Sequence, residues 1–185
     1  YTHRSALESL SRGVRWYAIR ENLDAHLHAG VGDADPFTTA AIGGAIADRL
    51  AWVFVAGYQG TITRCFPQVP VIPGWRAFVN TEDRRGNLIG TRLLTEEGVR
   101  RLYGWKTWVA AADHVDELMV SSRQNEPPFI EVPRTQAGVQ IEQGTPKGYL
   151  SEMVQSSVRF DGVVVSDSQI VGDETTFPIF RASEG

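Results

Sequence analysis

The stretch "PQVPVIPGW", residues 67–75, restricts this chain more than any other, because Pro67, Pro70 and Pro73 each remove a backbone donor and fix φ. No helix propagates through it. Before it, apolar residues recur at three- and four-residue steps; after it they alternate. The texture therefore predicts an α+β protein with a helical part over residues 1–70 and a β part over 71–172.

In residues 3–22, Leu7, Leu10, Val14, Tyr17 and Ala18 gather on one stripe of a helix. The glycine-rich "HAGVGDAD" ends it, and Asp35-Pro36 then supplies a capping acceptor followed by proline at the first helical position. A second helix is predicted from there to Phe66, with Gly57 and Gly60 as points of division. The run "LAWVFV", residues 50–55, is apolar on most sides, which predicts burial against other helices.

Strands are predicted over residues 75–80, 88–95, 99–103, 117–123, 129–132, 138–142 and 153–160. The last alternates most clearly, with Val154, Ser156, Val158 and Phe160 on one face and Gln155, Ser157, Arg159 and Asp161 on the other. Short strands at this spacing predict an antiparallel barrel or sandwich. Asp161-Gly162, taken alone, signals a tight hairpin.

A formal net charge of -4, with both signs interleaved, leaves no basic face for a nucleic acid. The longest apolar run, residues 50–56, is too short to span a bilayer, and no signal sequence opens the chain, so a cytoplasmic protein is expected. The single cysteine, Cys65, has no partner for a disulfide within the chain and reads as a small buried hydrophobe. His114, in a turn beside Asp113 and Asp116, reads as a lone exposed histidine rather than a metal ligand, and no metal is expected. Glu82, Asp113, Asp116 and Glu152 read as solvated carboxylates.

Three stretches, in this order, resemble the acyl-CoA dehydrogenase superfamily. "FVNTEDRRGN" is similar to the family's strand-end motif, a Thr-Glu followed after a short loop by Gly-Ser; the matching residues are Thr81, Glu82, Gly86 and Asn87. "RLYGWKTWVAAADHVDELMV" is similar to the segment Leu-x-Gly-x-Lys-x-Trp-Ile-Thr, with Leu102, Gly104, Lys106, Trp108, Val109 and Ala110 in those positions. "VRFDGVVVSDSQIVG" resembles the strand that closes the family's middle domain and keeps Asp161-Gly162 within one bent strand. The resemblance implies the end of an N-terminal helical domain, then an antiparallel β-barrel of the middle-domain type, then a tail, residues 173–185, leading to a C-terminal helical domain outside this sequence.

It also implies FAD as cofactor, oxidised or reduced, and an acyl thioester as substrate. Thr81 would bond the pyrimidine end of the flavin, while Gly86 and Asn87 would bring their backbone close to the dinucleotide or the thioester. Trp108 would stack on the ring, with Val109 beside it and Ala110 next to the reactive N5. An indole suits this task, since it is flat, rigid and loses little entropy on stacking. Trp105 and Trp108, three apart on an extended strand, face opposite sides, so only one meets the ring.

Two positions depart from the family: Ala110 stands where a threonine is usual, and Asn87 where a serine is usual. Arg84 and Arg85 occupy a loop that is normally small and neutral. The family's general base lies in the C-terminal domain, so no catalytic residue is expected in this chain, which is expected to be inactive and to bind flavin poorly alone. A homo-oligomer, or a partner chain supplying a helical domain, would complete the site. Two alternatives remain open: a flavin-dependent monooxygenase of the same superfamily, and a non-catalytic structural partner that kept the fold and lost the chemistry.

Overall fold

The computed structural model describes residues 36–47, 50–69, 75–122, 129–144 and 155–172, together with Thr176, Pro178 and Ile179. The helix expected over residues 3–22 and the strand-end residues Arg123, Met153 and Val154 lie outside these. The chain forms two compact units, Tyr1–Gly60 and Thr61–Gly185.

In the first unit, α1 (Pro36–Ile46) begins at the expected proline, and α2 (Leu50–Cys65) starts after it and continues past the unit's end. The expected division at Gly57 and Gly60 is not found: both lie inside α2, and the helical run divides between Ile46 and Leu50 instead. Close packing explains Gly60 and Gly43. A Cβ on Gly43 would come within 2.4 Å of the Ala56 Cβ, and one on Gly60 within 2.5 Å of the Pro36 carbonyl oxygen. Here glycine lets two helices touch rather than breaking one. Val55 and Ala56 are buried, as the apolar run predicted, whereas Leu50, Val53 and Phe54 are exposed.

The second unit holds β1 (Arg76–Val79), β2 (Arg92–Glu96), β3 (Val99–Ala110), β4 (Glu117–Ser121), β5 (Phe129–Pro133), β6 (Val139–Glu142), β7 (Gln155–Val165) and β8 (Ile170–Val171). Each expected strand is present with shifted ends, and the short β8 adds one. They form two four-stranded sheets, ordered β1-β4-β5-β8 and β2-β3-β7-β6. The expected closed antiparallel barrel is corrected on two counts. No strand pairing joins the sheets into a closed ring among the described residues, so each sheet keeps two edges, and β1 pairs with β4 in parallel. The parallel pair arises because the chain leaves the first sheet after Val79 and returns to it only at Glu117.

Leu118, Met119 and Val120 are all buried, so the first sheet is covered on both faces. Phe66, just past α2, packs edge-on to Phe129 at 4.9 Å between centroids and lies 5.9 Å from Phe78. Cys65, beside Phe66, is buried. The second sheet contributes Leu102, Val109, Val158, Phe160 and Val163 to the core.

β7 runs through Asp161-Gly162 as one strand, as the resemblance implied and against the hairpin reading. The register jumps there from Tyr103 opposite Asp161 to Leu102 opposite Val163, which leaves one extra residue on β7; Gly162 takes φ 69°. This is a β-bulge, and it lets the inward alternation resume at Val163.

Candidate functional site

The site is built at the corner where the chain passes from the first sheet to the second. Beyond β1 the backbone turns along β3: the Thr107 N–H donates to the Thr81 carbonyl at 2.8 Å, and the Trp105 N–H to the Ile89 carbonyl at 2.9 Å. Both ends of the loop over residues 81–90 are thus stitched to the strand that carries the two tryptophans. Gly104 makes the approach feasible. It takes φ 107°, and a Cβ there would lie 2.4 Å from the Gly90 carbonyl oxygen.

A second bulge falls on β3 between Lys106, opposite Val158, and Val109, opposite Ser156. Trp108 sits in it at φ 59°, a left-handed conformation rare for a bulky side chain. The extra residue changes the expected geometry. Leu102 and Lys106 point into the core and so does Val109, so Trp105 and Trp108 are both displaced from the core face instead of lying on opposite faces. Trp105 is half-buried under the Arg159 guanidinium, 5.8 Å from its ring centroid, while Trp108 is 63% exposed.

Under this corner lies a polar cluster. Lys106, 0% exposed, donates from Nζ to the Asn80 carbonyl at 3.1 Å, Glu82 Oε1 at 3.2 Å and Ser121 Oγ at 3.2 Å. All three protons of the ammonium are satisfied. Ser121 Oγ donates in turn to Asn80 Oδ1 at 2.6 Å, and Thr91 Oγ1 to Glu82 Oε1 at 3.3 Å. The Glu82 side chain is only 8% exposed, which corrects the reading of Glu82 as solvated. Gly90 leaves room for it, since a Cβ there would fall 1.8 Å from Glu82 Oε2.

Residues 83–88 close a tight turn at the loop tip. Asp83 Oδ1 accepts from the Arg85 N–H at 3.0 Å, and Oδ2 from those of Asn87 at 2.9 Å and Leu88 at 3.1 Å, while the Gly86 N–H reaches the Asp83 carbonyl at 3.2 Å. The Arg85 amide bond, with those of Asn87 and Leu88, holds the Asp83 carboxyl below its ordinary value against a smaller opposing effect of desolvation. The signal for this turn lies in the sequence itself: Asp83 followed three residues later by Gly86 is a turn signature.

Of the residues singled out by sequence, the corner joins Thr81 and Trp108 through the Thr107 bond and carries Gly86 and Asn87 on the same loop's exposed tip. The Thr81 side chain has no hydrogen-bond partner among the described residues. Val109 and Ala110 follow the bulge, both buried, with the Val109 side chain in the core. Asp113 accepts from Gln143 Nε2 at 2.9 Å beside an exposed His114, and Asp116 Oδ2 accepts from the Trp75 N–H at 2.9 Å. Glu152 lies outside the described residues. One carboxyl that sequence gave no reason to notice is perturbed: Glu117 is raised from 4.5 to about 7, by burial first and then by the nearby Glu131 charge, against the opposing pull of Arg76.

No family model matches the sequence, and no curated protein matches it. Solved structures do. The FAD complex of PigA superposes with a TM-score of 0.71 at 15% identity, over 97% of this chain and 56% of that one. An acyl-CoA dehydrogenase complexed with FAD from Bacillus anthracis gives 0.67 at 14% identity, over 97% and 37%. An FAD-dependent dehydrogenase gives 0.64 at 16% identity, over 99% and 61%. This chain has the acyl-CoA dehydrogenase fold. It spans less than two thirds of the length of each of those structures, and at these identities the likeness is one of fold. Within that fold, the departures at Asn87 and Ala110 fall on the loop tip and just after the bulge. No described helix is long and apolar enough to cross a membrane.

Proposed function

We propose that this chain contributes the flavin-facing β-domain of an acyl-CoA dehydrogenase-like flavoprotein that oxidises an acyl thioester, with a helical domain of another segment or chain supplying the general base. The observation that carries this reading is Trp108: a large apolar side chain held 63% exposed, in a strained backbone conformation, directly before the buried Val109 and Ala110. Strain of this kind persists where the surroundings over-determine it, and it concentrates at ligand sites. The residues present fit a flavin. The Trp108 indole would stack on the ring, and the unpartnered Thr81 hydroxyl would bond its polar edge.

The alternative, a flavin-dependent monooxygenase, requires no general base at all. Glu82 is paired with Lys106 and Asp116 holds a backbone amide, so neither is poised to take a substrate proton. Ala110 likewise brings no hydroxyl. A bound flavin supplies hydride acceptance in the first reading and, when reduced, oxygen activation in the second.

Titration of the full chain with FAD, followed by quenching of flavin and tryptophan fluorescence, tests both. Binding that Trp108→Ala weakens by about tenfold or more supports the platform, since loss of one stacked ring removes roughly 1–3 kcal/mol. Equal binding by both proteins overturns it. A product assay on the completed enzyme, separating desaturation from oxygen insertion, decides between the readings.

A further inference from the structure

The turn at residues 83–88 uses its own backbone donors. Arg85, Asn87 and Leu88 give their N–H groups to the Asp83 carboxylate, and Gly86 gives its own to the Asp83 carbonyl. A close backbone approach by Gly86 and Asn87 would therefore bring a ligand no free N–H from either residue. What the turn does offer is side chains. Arg84, Arg85 and Asn87 are exposed, and none of the three side chains has a hydrogen-bond or ion-pair partner among the described residues. Asp83 partly offsets the Arg85 charge, but both of its oxygens already accept from the backbone. Two adjacent guanidinium forks therefore stand on a rigid turn, in a protein whose formal net charge is -4.

We propose that Arg84 and Arg85, with the Asn87 carboxamide, form a binding site for a phosphate-bearing ligand. Planar forks match phosphate oxygens in pairs, and a turn fixed beforehand lowers the entropy lost on binding. The loop's two ends are bonded to β3 at Trp105 and Thr107, so the site is anchored to the strand that carries Trp108. The proposal rests on the flavin reading only for the rest of the ligand. Its phosphate would belong either to a flavin dinucleotide or to the nucleotide portion of a coenzyme A thioester.

Calorimetric titration of the 185-residue chain with inorganic pyrophosphate at low ionic strength tests the site directly. The expected result is binding that weakens as salt is added and that falls by about tenfold or more in the Arg84→Ala/Arg85→Ala variant, with Arg84→Lys/Arg85→Lys in between. Because neither side chain has a partner among the described residues, far-UV circular dichroism of both variants should match the parent. Parallel titrations with FAD against riboflavin, and with coenzyme A against pantetheine, identify the source: the alanine variant loses affinity only for the phosphate-bearing member of the pair that uses the site.

Equal pyrophosphate affinity in parent and alanine variant, or none in either, overturns the proposal. If that result accompanies FAD binding that depends on Trp108, the flavin reading stands without it. Arginine-dependent pyrophosphate binding together with flavin binding that Trp108→Ala leaves unchanged keeps the phosphate site and overturns the flavin platform.

Discussion

Trp108, at φ 59°, sits where the backbone of a bulky residue is strained by roughly 1–2 kcal/mol. Because its indole is mostly exposed, the side chain returns little burial against that strain. Trp108→Gly should therefore leave stability unchanged or raise it by up to about 1 kcal/mol while lowering flavin affinity, and chemical denaturation beside FAD titration checks both. A residue kept for packing would show the opposite. Glu97, at φ 52°, precedes Gly98 at φ 80°, two left-handed residues forming the tight turn between β2 and β3. Asparagine suits that first position, so Glu97→Asn should raise the denaturation midpoint by the equivalent of roughly 0.5–1 kcal/mol. Glu117 contributes a pH dependence. Its native value lies above 4.5, so between pH 4.5 and about 7 the folded protein holds more protons than the unfolded chain, and stability falls as pH rises through that window. Glu117→Gln should flatten this decline in a series of urea melts. The tryptophan pair, the Cys65 burial and the Pro36 helix start were legible in the sequence; the strain at Trp108 was not, because a single inserted residue in β3 reverses the facing that strict alternation assigns.

At the scale of elements, the motif Leu102, Gly104, Lys106, Trp108 resolves into four separate physical tasks. Leu102 fills the core, Gly104 admits the Gly90 backbone, Lys106 ties the corner from beneath, and Trp108 faces outward on its bulge. The motif was legible as a pattern, yet the reason for its lysine was not, because a charged residue within a strand normally reads as solvent-facing. Its partner Glu82 lies 24 residues away in sequence, and only the folding of the loop over β3 brings them to 3.2 Å. Removing one member leaves the other charge nearly buried. Lys106→Met should therefore cost roughly 3–5 kcal/mol in urea denaturation, and adding Glu82→Gln to it should recover part of the loss. If the single variant lost under about 1 kcal/mol, the pair would be an incidental surface contact.

Across the whole molecule, the strand order and the open sheets were beyond local reading. Alternation tells which residues face inward along one strand, but not that Arg76 pairs in parallel with Glu117, a choice made by contacts far apart in sequence. The helical stretch was legible in its apolar character and misleading in its burial. Leu50, Val53 and Phe54 fall at the i, i+3, i+4 spacing that makes one helical stripe, and all three are exposed. A contiguous apolar stripe on a helix is unfavourable in water and reports itself to an environment-sensitive dye. The full chain should therefore enhance the fluorescence of anilinonaphthalene sulfonate under native conditions, and Val53→Glu/Phe54→Glu should abolish most of that signal without lowering helix content. Sedimentation velocity on the same pair distinguishes the occupant of the stripe: a concentration-dependent larger species in the parent that the double variant lacks identifies a second copy of this chain, as the expected homo-oligomer requires, whereas a parent that binds dye yet stays monomeric assigns the stripe to a helical surface supplied by another segment or chain.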